Sequence, residues 1–186
     1  WAAGQPLSPL DGVPIGVKAN IAVRGLPWHA GIAAYRDRIA QADADCVARL
    51  RAAGAVILGT LNLHEGALGA TTDNPTFGRS ENPHRVGFTP GGSSGGAGAA
   101  VAGGLCAAAL GTDTMGSVRI PSGYCGVLGL KPTKGRVSGE GLVPLSWTLD
   151  NVGPHARSVQ DCGLVLAGMA GIVAASEDTR PLAVLD

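Results

Sequence analysis

Residues 89–112, TPGGSSGGAGAAVAGGLCAAALGT, carry no charged side chain. Gly, Ala and Ser dominate the stretch, and Pro90 with the Gly-Ser run 91–96 would make a poor membrane-spanning helix. We expect it to be buried inside the protein, with a small-residue helix over 97–102 and a strand over 105–110 that is buried on both faces. The other interpretation of GGSSGG is a flexible linker, but the charge-free apolar segment that follows argues for burial.

The segments before this stretch predict alternating strands and a helix. Residues 12–23, GVPIGVKANIAV, predict one or two short buried strands. Residues 42–55, ADADCVARLRAAGA, predict a helix with Asp43 or Asp45 as N-cap and Gly54 as its stop, and 55–59 predict a strand. A helix followed by a strand is a unit that builds parallel sheets, so the fold class is α/β.

The segments after it continue the pattern. Residues 126–130 predict a further strand, and Ser158 with Asp161 forms a capping box that opens a helix through Gly168. Residues 69–92 hold three prolines and predict a long irregular connection, which in a compact domain is usually functional or disordered.

Composition narrows the function classes. The chain has 14 Lys and Arg against 14 Asp and Glu and is 45% hydrophobic, which argues against nucleic-acid binding, membrane-surface binding and disorder. Four cysteines without a C-x-x-C pair predict buried free thiols, and four histidines without H-E-x-x-H spacing make zinc an unfavoured cofactor. No basic and then apolar leader begins the chain, so we expect a cytoplasmic protein.

Lys18 is one of only three lysines and lies between Val17 and Ala19 in an apolar segment. One interpretation is a buried stem whose ammonium reaches water. The other is a desolvated amine whose pKa is low enough for it to act as a base. A serine hydroxyl needs such a neighbour, because it is a weak nucleophile until a base takes its proton.

Candidate serines lie in two settings, Ser93 with Ser94 in the glycine run and Ser117 in the turn GTDTMGSVRIPS. A turn that leads into a helix at Ser117 would direct successive N–H groups at one point, as an oxyanion hole requires. The run also matches G-x-S-x-G, whose partners would be Asp113 or Asp150 with His155. That match is weak, because a loop stands where the strand before the nucleophile is expected.

The sequence resembles the amidase signature family of Ser-Ser-Lys amide hydrolases. The matching segments, in the family's order, are DGVPIGVKANIAVRGLP, GTLNLHEGALGATTDNPTFG, ENPHRVGFTPGGSSGGAGAAVAGG and GTDTMGSVRIPSGYCGVLGLKPTKGRV, within residues 9–137. Ser117 follows Ser93 by 24 residues, as the resemblance requires. The resemblance implies an α/β/α sandwich around a mixed sheet, an acyl-enzyme intermediate, a small amide substrate and neither cofactor nor metal.

The resemblance also assigns roles to individual residues. It implies Ser117 as the nucleophile, Ser93, preceded by a cis peptide bond, as the bridging serine, and Lys18 as the base. The expected oxyanion donors are the backbone N–H groups of Thr114, Met115, Gly116 and Ser117. The expected supporting residues are Ser94, Asp113 and Arg119.

Three departures from the family pattern stand out. Met115 replaces the first glycine of the G-T-D-x-G-G-S motif, so a positive φ is disfavoured there. Ala19 replaces an aspartate that often follows the lysine. Family domains are also considerably longer, so we expect 1–186 to be a single partial domain, incomplete at both ends, whose open sheet edge pairs with a second copy or a partner.

Two other functions remain open at this point. The same chemistry could belong to the glutamine-hydrolysing subunit of an aminoacyl-tRNA amidotransferase, which passes ammonia to a partner. The chain could instead be an inactive fragment that acts as a binding or assembly module.

Overall fold

The computed structural model describes residues 5–172. Its strands are β1 (Pro14–Lys18), β2 (Val56–Leu61), β3 (Asp73–Asn74), β4 (Gly78–Arg79), β5 (Ala108–Asp113), β6 (Leu128–Gly129) and β7 (Asn151–Ala156). Its α-helices are α1 (Asp45–Ala52), α2 (Gly95–Ala102), α3 (Arg119–Cys125) and α4 (Val159–Ala170), with short 3₁₀ turns at Ala33–Tyr35 and Glu65–Ala67.

Five strands form one mixed sheet in the order β2-β1-β5-β7-β6, and β3 pairs with β4 in a small hairpin. The central strand β1 runs parallel to β2 and β5, whereas β7 runs antiparallel to β5 and β6. The carboxyl ends of β1 and β5 therefore meet at one edge, which is where ligand sites of open α/β sheets lie. Lys18 and Asp113 end these two strands.

Alternating residues of β5 place the helices on the two faces of the sheet. Ala108 and Leu110 join the larger core, which contains apolar residues of α1 and α4. Ala109, which points to the other face, packs against α2, and α2 packs against α3. The predicted α/β/α sandwich around a mixed sheet is confirmed.

The predicted N-cap of α1 is wrong. Ala44 occupies that position without a side-chain cap, and Asp45 is the first helical residue. Asp43 instead accepts the Arg24 N–H and pairs with Arg51, two contacts that lie outside the capping geometry. The stop at Gly54 is confirmed, because this residue has a φ of 91°, which favours glycine.

Strand and helix limits near the glycine run also differ from the prediction. Helix α2 begins two residues earlier than expected, at Gly95, and β5 covers 108–113 rather than 105–110. Residues 103–107 are needed for the turn out of α2, where Gly104 has a φ of 72°. All six residues of β5 are buried, as predicted, whereas β6 is shorter than the expected 126–130 because Gly126 still caps α3.

The linker interpretation of GGSSGG is wrong, since residues 90–95 are all buried. A Cβ on Gly92 would lie 2.7 Å from both Gly69 O and Thr71 N. A Cβ on Gly96 would lie 2.5 Å from Asn62 O and 2.8 Å from Asn62 N. These contacts are with backbone, which cannot yield as a flexible side chain can, so glycine is required for this close packing.

Gly96→Ala should therefore destabilise the protein by about 1–3 kcal/mol, as overpacking does. The matched control is Gly123→Ala, because Gly123 is an exposed helical glycine whose added Cβ would meet nothing within 4 Å. That control should be neutral or slightly stabilising. Urea unfolding of both variants measures the difference, and equal effects would contradict the packing argument.

Other local predictions are confirmed. Ser158 Oγ accepts the Asp161 N–H at 3.1 Å and caps α4. All four cysteines are buried and free. Within residues 5–172, no helix has the length and apolar character needed to cross a membrane.

Candidate active site

Lys18 ends β1 with its side chain fully buried. Its Nζ lies 2.7 Å from Ser93 Oγ and 2.8 Å from Thr112 Oγ1. Asn20 Nδ2 also donates to Thr112 Oγ1, at 3.0 Å. The interpretation of Lys18 as an amine that reaches water is therefore wrong, and the amine faces hydroxyl groups inside the protein.

Burial lowers the pKa of Lys18 to about 7, and the negative charges of Asp113 and Asp150 offset part of that effect. A substantial fraction of the amine is thus neutral near pH 7 and has a lone pair that can accept a proton. The two carboxylates favour the ammonium form once the proton has arrived.

Ser93 lies in the loop that leads into α2, and the Gly92–Ser93 peptide bond is cis, as the resemblance implies. Its side chain is fully buried, and its carbonyl accepts the His64 N–H at 3.0 Å. The next residue, Ser94, donates its N–H to the carbonyl of Ser117 at 3.1 Å. This bond joins the glycine run to the turn that carries the predicted nucleophile.

Ser117 is partly exposed, so it lies between solvent and the buried Ser93. Among the described residues no hydrogen bond joins the two hydroxyls. Catalytic hydrogen bonds are often long or misaligned without substrate, and rotation of the Ser117 side chain is the simplest way to form this one.

Asp113, at the end of β5, holds the turn before α3. Its carboxylate accepts the N–H groups of Gly116 at 2.8 Å and Val118 at 3.1 Å. Arg119 donates to both of its oxygens, at 3.0 and 3.1 Å. Burial alone would raise the pKa of Asp113, but these hydrogen bonds outweigh it and hold the pKa at about 2. The carboxylate therefore stays charged and the turn stays fixed.

The predicted oxyanion donors do not all remain available. The Gly116 N–H is committed to Asp113, whereas no residue of the described part of the chain accepts the N–H of Met115 or Ser117. The positive φ of the turn, 138°, falls on Gly116 and not on Met115, as the sequence predicts. The Met115 side chain is 74% exposed beside the nucleophile.

Four functional contacts escaped the sequence analysis. Thr114 donates its hydroxyl to Asp150, and Lys131 donates to the Thr114 carbonyl at 2.6 Å. Thr112 and Asn20 form the polar surroundings of Lys18. For Thr112 and Asn20 the available signal is position, because each lies next to or near a motif residue at the same end of its strand.

The Ser-Asp-His interpretation does not fit the geometry. Ser93 faces the Lys18 amine, whereas the Nδ1 of His155 lies 2.9 Å from Ser122 Oγ on α3. Burial lowers the pKa of His155 to about 3, with a smaller contribution from the Lys18 charge. Within residues 5–172, no cluster of three or more His, Cys, Asp and Glu side chains is placed to hold a metal.

Known proteins resemble this chain closely. A glutamyl-tRNA(Gln) amidotransferase subunit of Roseiflexus castenholzii is 51% identical over 91% of this chain and 34% of its own length. Its namesake from Salinibacter ruber is 46% identical over 98% of this chain and 35% of its own length. The solved peptide amidase of Stenotrophomonas maltophilia matches with a TM-score of 0.84 and 40% identity, over 97% of this chain and 37% of that one.

The chain thus spans about a third of the length of these relatives. The family model named Amidase matches residues 1–184. With its fold and its motif order, the chain belongs to the amidase family.

Proposed function

We propose that this protein hydrolyses a carbon–nitrogen amide bond through Ser117, Ser93 and Lys18. The observation that carries the proposal is the fully buried Lys18 amine, 2.7 Å from Ser93 Oγ. A buried amine with a lowered pKa beside a serine has the features of an activated general base.

The first half of the reaction acylates the enzyme. Ser117 Oγ attacks the amide carbonyl carbon, its proton passes to Ser93 Oγ, and the Ser93 proton passes to the Lys18 lone pair. The tetrahedral intermediate carries its negative charge on the former carbonyl oxygen, which the N–H groups of Met115 and Ser117 stabilise together with that of Thr114. Gly116 supports this site indirectly, through its bond to Asp113.

Collapse of the intermediate breaks the carbon–nitrogen bond. The proton held by Lys18 returns through Ser93 to the leaving amine, which departs neutral. A water molecule then attacks the acyl-enzyme, the same relay takes up its proton, and Ser117 regains that proton as the carboxylic acid leaves. The residues alone can move every proton that these steps require.

The reaction should depend on pH through Lys18. Because its neutral form is the base and its pKa is about 7, the rate of Ser117 acylation should fall about tenfold per pH unit below 7 and level off above it. Stopped-flow labelling with a fluorophosphonate between pH 5 and pH 9 measures this profile. A rate that is flat over this range would contradict the assignment of Lys18 as the base.

The second candidate is the glutamine-hydrolysing subunit of an aminoacyl-tRNA amidotransferase. The names of the relatives at 51% and 46% identity favour it. Ammonia release from glutamine but not from simple amides, stimulated by a partner protein, would support this assignment. Hydrolysis of simple amides without any partner would count against it.

Three predictions from the sequence remain proposals. They are that residues 1–186 form a single partial domain, that the protein is cytoplasmic, and that a second copy or a partner covers the sheet edge. In the described residues this edge is β2, where Val56 and Leu58 are about half exposed. An inactive assembly module remains the third candidate, and a folded protein whose Ser117 resists fluorophosphonate would favour it.

A further inference from the structure

His155 is a buried titratable side chain for which the proposed reaction has no use. It lies within β7, opposite Ala109 on β5 and Gly129 on β6. Its side chain is fully buried, and its Nδ1 lies 2.9 Å from Ser122 Oγ. Its Nε2 has no hydrogen-bond partner among the described residues. A buried polar atom without a partner is costly, so its surroundings require an explanation.

Ser94 is the polar group that Nε2 can reach. A Cβ placed on Gly111 would lie 2.6 Å from His155 Nε2 and 2.8 Å from Ser94 Oγ. Both atoms therefore border the same small space beside a residue that has no side chain. Rotation of the Ser94 side chain moves its hydroxyl within this space and can direct it to Nε2.

Ser94 in turn contacts the surroundings of Lys18. Its hydroxyl donates to the Thr112 carbonyl at 3.2 Å and accepts the Thr112 N–H at 3.3 Å. The same carbonyl lies 3.5 Å from Lys18 Nζ, a long contact. Ser94 and Lys18 thus compete for one acceptor.

That competition matters when Lys18 becomes an ammonium. An ammonium has three N–H donors, and Ser93 Oγ and Thr112 Oγ1 accept two of them. The Thr112 carbonyl is the remaining acceptor within reach. The third donor is best satisfied if the Ser94 hydroxyl turns to another acceptor.

We propose that His155 is a positioning residue of the proton relay: its Nε2 accepts the Ser94 hydroxyl when Lys18 takes up a proton, which leaves the Thr112 carbonyl to the ammonium. This inference rests on the proposed function, because it concerns the charge state that the relay creates. No bond is made or broken in this step, and only the hydroxyl of Ser94 changes its acceptor.

The role requires a neutral imidazole with its proton on Nδ1, donated to Ser122 Oγ. Burial supplies the neutral form by lowering the pKa of His155 to about 3. The charged groups that act on the ring are Lys18, which favours the neutral form further, and Asp113, which opposes it. Ser122 and Ser94 are uncharged, so neither draws a second proton onto the ring.

The test compares His155→Leu, which removes the acceptor, with His155→Gln, whose amide oxygen can replace Nε2. Removing the acceptor destabilises the ammonium, so His155→Leu should slow fluorophosphonate labelling of Ser117 about tenfold above pH 8 and move the midpoint of the pH profile to lower pH. His155→Gln should restore most of the rate and the midpoint. A residue that only fills space would change stability and leave the midpoint in place, and that result for a folded His155→Leu would overturn the proposal.

A double-mutant cycle identifies Ser94 as the link. Ser94→Ala should shift the pH profile in the same direction, and adding His155→Leu to it should cause no further shift. Additive shifts would overturn the proposal, because His155 would then act by another route. A wild-type protein that is not labelled at all would refute the proposed function, and this inference with it, whereas a labelled wild type with an unchanged His155→Leu refutes only the inference.

One measurement needs no substitution. The ¹⁵N chemical shifts of the His155 ring should show the neutral tautomer with the proton on Nδ1 from pH 8 down to about pH 4, since burial holds the pKa of this ring at about 3. The opposite tautomer, or a charged ring at about pH 6, would overturn the proposal even if every variant at this position failed to fold.

Discussion

Ser117→Ala should lower the rate of amide hydrolysis by about 10⁴- to 10⁶-fold, the range found when the nucleophile of a serine hydrolase is removed. Fluorophosphonate labelling should disappear with it, as read by intact mass. The fold should be retained, because the contact that joins this turn to the glycine run uses the Ser117 carbonyl, which alanine keeps.

The control for this prediction is Ser138→Ala, a serine in another turn whose Oγ accepts only the Glu140 N–H among the described residues. It should remain labelled at Ser117, and its unfolding free energy should stay within about 0.5 kcal/mol of the wild type. Undiminished turnover by Ser117→Ala would refute the proposed chemistry, since no other hydroxyl is assigned the attack.

Lys18→Met should both stop catalysis and stabilise the protein at pH 7. The loss of the general base should lower the acylation rate by about 10²- to 10⁴-fold. The gain in stability follows from the lysine itself, whose pKa falls from 10.5 to about 7 because of burial. In the unfolded chain at pH 7 it is fully charged, so the folded protein bears a cost on the order of 4 to 5 kcal/mol.

The sign of the pH effect follows from proton binding. Between pH 7 and 10.5 the unfolded wild type binds more protons than the folded one, so wild-type stability rises with pH. The advantage of Lys18→Met should therefore be largest at or below pH 7 and shrink as pH approaches 10.5. The unpaired hydroxyls of Ser93 and Thr112 subtract about 1–3 kcal/mol from it at every pH.

Urea unfolding of wild type and variant at pH 7 and pH 10 measures this change. The control is Arg24→Met, which removes an exposed cation and should shift stability equally at both pH values. A stability difference between Lys18→Met and wild type that does not vary with pH would show that the Lys18 pKa is not lowered in the folded protein.

The elements that the sequence predicted well are those set by local chemistry. Gly54 ends α1 because its φ suits only glycine, and Ser158 caps α4 through a bond to a residue three positions away. The burial of the Gly-Ser run followed from its lack of charge and from the apolar segment beside it. Periodicity and capping act over a few residues, so they can be inferred without a tertiary structure.

The limits of β5 and the N-cap of α1 were predicted wrongly because distant partners decide them. Extended backbone at Thr112 and Asp113 is held by pairing with Val152 and Asn151 on β7. Asp43 is drawn from the cap by Arg24 and Arg51. Neither competition is visible in the local pattern.

For the candidate site, the sequence by itself determined which residue types lie in which order: a lysine in an apolar strand, paired serines in a glycine run, and a third serine in a Gly-rich turn. Only the tertiary structure decided that Lys18 meets Thr112, 94 positions away, and that the Gly116 N–H belongs to Asp113. The physical reason is that the pKa of a buried amine and the availability of an N–H group depend on neighbours brought together by sheet pairing, which residue order alone does not specify.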